Sequence, residues 1–185
     1  MVTTNESTNI VTQPKIRDQT SPSLKRWFKH TFYLSNTKRF FSKQDQHAIA
    51  QAVQQAEQGH VGEIQVILEG CLPANVAYHQ DTLIRARQLF AALGIWDTEY
   101  NSGVLLYLNL CERKVEIVID RGIKQATDQA VWDEICQSIL SDLKQQQHRL
   151  ALIQGVQQIG TILETFYQGK YQDEKDELDN QPIIL

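Results

Sequence analysis

The chain has 185 residues, a formal net charge of −4, and 42% hydrophobic against 22% charged residues. That length suits one domain with a sizeable core and some tail, and the composition is that of an ordinary soluble globular protein. The acidic balance argues against a chain-wide nucleic-acid footprint, and no nucleic acid is expected as a partner.

Residues 1–23, "MVTTNESTNIVTQPKIRDQTSPS", have neither a basic start nor an apolar h-region, so no signal peptide is expected. They are too poor in apolar groups to offset the entropy of ordering, and are read as a disordered arm. Residues 24–41, "LKRWFKHTFYLSNTKRFF", interleave Lys25, Arg26, Lys29, Lys38 and Arg39 with six aromatic rings. The simpler reading is a short helix whose aromatics pack on the domain while its cations stay wet. The alternative is contact with an anionic membrane surface, or with single-stranded nucleic acid, through those five cations.

Ser42 opens "SKQD", a capping box, and Ile49, Ala52, Val53 and Ala56 follow at helical spacing. "EIQVILE" has strand composition. A helix is expected from about His79 to Leu93, ended by Gly94. "GVLLYLNL" and "KVEIVID" are two further strands joined by "CERK", hence a hairpin. Two helices close the domain, one carrying Val131, Trp132, Ile135, Ile139 and Leu143, the other Leu150, Ile153, Val156, Ile159, Leu163 and Phe166. The order implies an α/β fold, with a mixed β-sheet between helices and a closing helical pair. The domain is expected over residues 42–168. Residues 169–185, mostly charged with an isolated apolar end, are read as an acidic flexible tail.

The longest apolar run, "GVLLYL", is far short of the roughly 18 residues a membrane helix needs. Cys71, Cys111 and Cys136 show no CxxC spacing, which points to a reducing, cytoplasmic setting. His60 lacks a second histidine at zinc spacing and reads as a cap for helix carbonyls. Cys71 has no neighbour that would lower its pKa, and Trp96 reads as a packing anchor.

The hairpin carries the functional argument. If Glu112 and Arg113 form a two-residue turn, Leu108 faces Ile117 and Leu106 faces Ile119, which gives one dry face. Asp120 and Arg121 then return beside Gly103 and the "WDTEYN" loop. A right-handed crossover through the intervening helix sets the first strand parallel to the second, so Glu63 enters at the same rim. Glu63, Asp97, Glu99, Asn101 and Asp120 converge from three distant segments. Carboxylates so placed share a cation or a proton, and oxygen donors without sulfur suit Ca2+ or Mg2+. Taken singly, each of these residues more often caps loop backbone or pairs with Arg121. The rim is also the end opposite to the carboxyl ends of the parallel strands, where ligands of open α/β sheets usually bind.

The segments "EQGHVGEIQVILE", "LGIWDTEYNSGVLLYLNL" and "KVEIVIDRGI" in that order resemble the TPM-domain family over roughly residues 40–167. They are most similar to its compact bacterial branch, which lacks a signal peptide and a membrane anchor. The resemblance implies a mixed sheet sandwiched between helices. It also implies calcium or magnesium binding in some members, weak acid phosphatase activity in others, and roles in assembling or repairing membrane protein complexes. Carried over by position, it marks Glu63, Asp97, Glu99, Asn101, Gly103, Asp120, Arg121 and Gly122. Asn101 and Ser102 stand where an Asp-Asn pair is common.

The expected function is a divalent-cation-binding interaction or assembly module with an unknown protein partner. The alternative is a metal-dependent phosphomonoester hydrolase using Asp97, Asp120 and Arg121.

Overall fold

The structure, a computed structural model, describes residues 21–33, 37–124, 127–167 and 177–185. In chain order the elements are α1 (Leu24–Thr31), α2 (Thr37–Phe40), α3 (Lys43–Ala56), β1 (Glu63–Glu69), α4 (Ala74–His79), α5 (Thr82–Ala92), β2 (Gly103–Asn109), β3 (Lys114–Ile119), α6 (Arg121–Lys124), α7 (Gln129–Lys144), α8 (His148–Tyr167) and β4 (Ile183–Ile184). The four strands form one mixed sheet in the order β3-β2-β1-β4.

The sheet is sandwiched. Ile64, Val66, Leu68, Val104, Leu106, Leu108 and Val115 point to one side and pack on α3, α7 and α8, in the larger core. Ile67, Leu105 and Tyr107 point to the other, against Ala86 and Leu89 of α5 and against Ile95. β1 and β2 are buried along their whole length, as strands covered on both faces must be. α3 begins as expected: the Ser42 and Asp45 side chains satisfy each other's backbone N–H groups.

β1 and β2 pair in parallel, with Glu63 beside Gly103 and Glu69 beside Asn109. The hairpin register differs from expectation by two residues. Leu106 faces Ile117 and Leu108 faces Val115, rather than Ile119 and Ile117. The connection runs from Leu110 to Arg113, because the Leu110 and Cys111 N–H groups are drawn to the Glu69 and Gly70 carbonyls at 3.0 and 2.9 Å. Arg113 turns the chain with φ +54°. A slip of two preserves the side-chain faces, so the dry face is the expected one.

Three further differences have local causes. The helix expected from about His79 starts at Thr82, since Asp81 leaves helical backbone and caps the Ile84 N–H at 3.0 Å, and a separate short helix, α4, precedes it where none was expected. The aromatics of the 24–41 segment do not all pack: Phe41 is buried, whereas Phe28 and Phe32 lie open to solvent. The tail is not loose over its described portion. Ile183–Ile184 add an edge strand to β1, and the Leu185 N–H reaches the Leu68 carbonyl at 3.0 Å. Edge backbone on β1 that would otherwise need water gives this short apolar segment its partner. Most of the arm, residues 1–20, lies outside the described residues, as do the last residue of the expected domain, 168, and residues 169–176 of the tail. Among the described residues, no helix is long and apolar enough to cross a membrane.

Candidate functional site

Three segments meet at the amino-terminal rim of β1 and β2. The Glu63 N–H donates to the Ser102 carbonyl at 3.2 Å, and the Asp120 N–H donates to the Gly103 carbonyl at 3.0 Å. Glu63 and Asp120 thus flank Gly103 from either side, and each is only 5% exposed. The "WDTEYN" loop is held against this rim by its own polar groups. The Thr98 hydroxyl accepts from the Ser102 N–H at 2.8 Å, and the Ser102 hydroxyl donates to the Val61 carbonyl. Asn101 takes φ +53°, which an asparagine tolerates. Its carbonyl sits so close to Gly122 that a Cβ there would lie 2.6 Å from it.

Asp97, Glu99, Asn101 and Arg121 are exposed on the outer side of the rim. A fourth segment joins them. The Glu177 carboxylate accepts from the Glu99 N–H at 3.1 Å, and the Leu178 N–H donates to Glu63 Oε2 at 3.2 Å. No local pattern signals this contact, because it follows from where β4 docks.

Asp120 stands apart chemically. Its Oδ1 accepts from the Arg121 N–H at 2.6 Å, while Oδ2 is buried without a hydrogen-bond partner. A buried carboxylate oxygen lacking a donor is costly unless something positive meets it. A hard cation fits this donor set, which contains oxygens and no sulfur. The acids are not drawn tightly together, however. Among the described residues, the one group of three His, Cys, Asp or Glu ligand atoms within 4.8 Å of one another is His30, Cys111 and Glu112.

That second group is built for hydrogen bonding. His30 Nδ1 accepts from the Leu72 N–H at 2.9 Å, so the ring proton sits on Nε2, 3.1 Å from Glu112 Oε1. A neutral imidazole so engaged has no lone pair left for a metal. Burial also pushes the Cys111 thiol up to about 11, away from the thiolate a metal needs.

His60 follows the same logic at the end of α3. Its Nδ1 accepts from the Gly62 N–H at 3.0 Å and the ring is buried, 5% exposed, which makes it a structural histidine. Burial lowers the pKa of both His30 and His60, only partly offset by Glu112 at His30 and by nearby backbone carbonyls at His60. The fold therefore binds fewer protons than the unfolded chain as the pH drops below the ordinary histidine value, about 6.5. Stability is expected to fall below that pH, by up to about 1.4 kcal/mol per pH unit for each ring, until the folded values are passed. Urea unfolding at pH 7.5, 6.0 and 5.0 checks this; equal stability at all three would contradict it.

A mixed parallel/antiparallel sheet between helices, with an acidic loop set against its amino-terminal rim, defines the class. The TPM-domain family model matches residues 34–162, well over half of the chain, and the chain belongs to that family. The solution structure of BA42 protein from the psychrophilic bacterium Bizionia argentinensis is similar, with a TM-score of 0.70 and 28% identity over 82% of this chain and 99% of that one. No curated protein matches the chain.

Proposed function

We propose that the chain is a divalent-cation-binding TPM module that acts by binding a protein partner rather than by catalysis. The reading places it in the cytoplasm, a setting consistent with three free cysteines. The observation that carries the proposal is the buried, unpartnered Oδ2 of Asp120, beside Gly103 and the loop that ends at Ser102. Asp120 and Glu63 would hold Ca2+ or Mg2+, with Asp97, Glu99 and Asn101 supplied by the loop. The ion would neutralise the rim and stiffen the loop, leaving the exposed face of "WDTEYN" as the surface a partner reads.

Titration with either ion is expected to shift the amide signals of Asp97, Asn101, Asp120 and Arg121. At about 100 times Kd the ion should add about 2.7 kcal/mol, which raises Tm by roughly 5–10 °C. Asp120→Asn should abolish both effects. Unmoved signals and an unchanged melt in the parent protein would remove the proposal. The phosphatase alternative relies on Asp97 and Arg121, both exposed. It would displace this reading if Mg2+-dependent turnover of p-nitrophenyl phosphate were lost in Asp120→Asn.

A further inference from the structure

α1 is an amphipathic helix mounted the wrong way round for a solvated one. Its polar side faces the protein. His30 is 3% exposed and bonded to the Leu72 N–H, while the Arg26 guanidinium donates from Nε to the Ala77 carbonyl at 2.5 Å and from Nη2 to that of Tyr78 at 3.1 Å. The Ser23 cap ties the same end down, since its own N–H reaches the Tyr78 carbonyl at 3.0 Å. On the opposite side Leu24, Phe28 and Phe32, spaced four residues apart, are 62, 52 and 69% exposed. An ordinary surface helix turns such a stripe toward the core.

The segment's own charge is one-sided. Residues 24–41 carry Lys25, Arg26, Lys29, Lys38 and Arg39 without one Asp or Glu, in a chain whose net charge is −4. Arg26 is engaged with backbone carbonyls and Lys29 pairs with Glu112 at 3.2 Å, so the cations offered to a partner are Lys25, Lys38 and Arg39. Lys25 lies at the border of the stripe on the helical wheel, and Lys38 and Arg39 are exposed. We propose that α1 seats the protein on an anionic lipid surface, with Leu24, Phe28 and Phe32 entering the headgroup–acyl boundary and Lys25, Lys38 and Arg39 meeting lipid phosphate. Apolar depth and anionic attraction together are what an interfacial helix uses. Single-stranded nucleic acid suits the site less well, because the Phe28 and Phe32 rings stack on each other, 6.0 Å apart and 8° from parallel, which engages one face of each ring. This seating is independent of the cation rim.

The test is co-sedimentation of the full chain with vesicles of equimolar phosphatidylcholine and phosphatidylglycerol, beside pure phosphatidylcholine. Binding is expected to the anionic vesicles only and to weaken with salt. Lys25→Gln should reduce it about fivefold. Phe28→Ser with Phe32→Ser should reduce it at least about tenfold without lowering Tm, because neither ring supports the core. No pelleting, equal binding to neutral vesicles, or binding indifferent to the Phe substitutions would each overturn the proposal. If the protein fails to pellet and the amide signals of residues 1–20 move in the Phe28→Ser variant, the arm covers the stripe, which also overturns it.

Discussion

Gly103→Ala should be among the most damaging single substitutions in this protein, lowering stability by more than about 3 kcal/mol. A Cβ at this position would lie 1.9 Å from the Ile95 carbonyl oxygen, a backbone atom that cannot rotate away. Ile95 is fully buried, and its N–H is committed to the Phe90 carbonyl at 3.1 Å. Gly103 is equally fixed, since it pairs with Glu63 on one side and its carbonyl receives the Asp120 N–H on the other. Relief therefore requires opening the sheet at the rim that carries the acids. For a chain of this size the loss corresponds to a Tm lower by roughly 10 °C. Gly94→Ala separates crowding from backbone preference: Gly94 has φ +69° with open space around it, so about 1–2 kcal/mol is expected there. A Gly103→Ala protein melting within a few degrees of the parent would show that β2 and Ile95 do not approach so closely.

The direction of every central strand was legible because it needs only hydrophobic period and connection length. "EIQVILE" and "GVLLYLNL" both read as strands, and a helix between them leaves them parallel. Burial of both faces of β1 was not legible, because Glu63, Gln65 and Glu69 alternate with its apolar residues. The faces of the hairpin were legible as well, since any even slip preserves them. What stayed hidden was set by contacts between distant segments. The turn at Leu110–Arg113 is widened by the carbonyls of Glu69 and Gly70, some forty positions earlier in the chain. The partner of β4 is an edge that no local pattern in "NQPIIL" announces. Of the expected site residues, Glu63 and Asp120 reach the rim by strand direction alone. The exposure of Asp97 and Glu99 depends on how Thr98 and Ser102 pin the loop, which spacing does not encode.

The opposite rim is closed by the protein's own groups, and it supplies the other large effect. The carboxyl ends of parallel strands are where ligands of open α/β sheets usually bind. Here that end is occupied by the protein's own charges. Glu69, 2% exposed, receives Arg85 in a two-pronged pair, Nη2 to Oε1 at 2.8 Å and Nε at 3.2 Å, and also the Tyr107 hydroxyl, which in turn accepts from Asn109 Nδ2 at 3.0 Å. Burial and the Glu69 charge push the Tyr107 hydroxyl well above its ordinary pKa, so it stays a donor. Arg85→Leu would leave a carboxylate in the interior with its main counter-charge gone, at a cost of about 3–5 kcal/mol. Removing the charge as well, in Glu69→Gln/Arg85→Leu, should limit the loss to about 1–3 kcal/mol, because a neutral amide can still accept from Tyr107. Urea unfolding of the parent, both single variants and the double variant gives the coupling directly. If the double variant loses as much as Arg85→Leu alone, the pair is not what holds this rim closed.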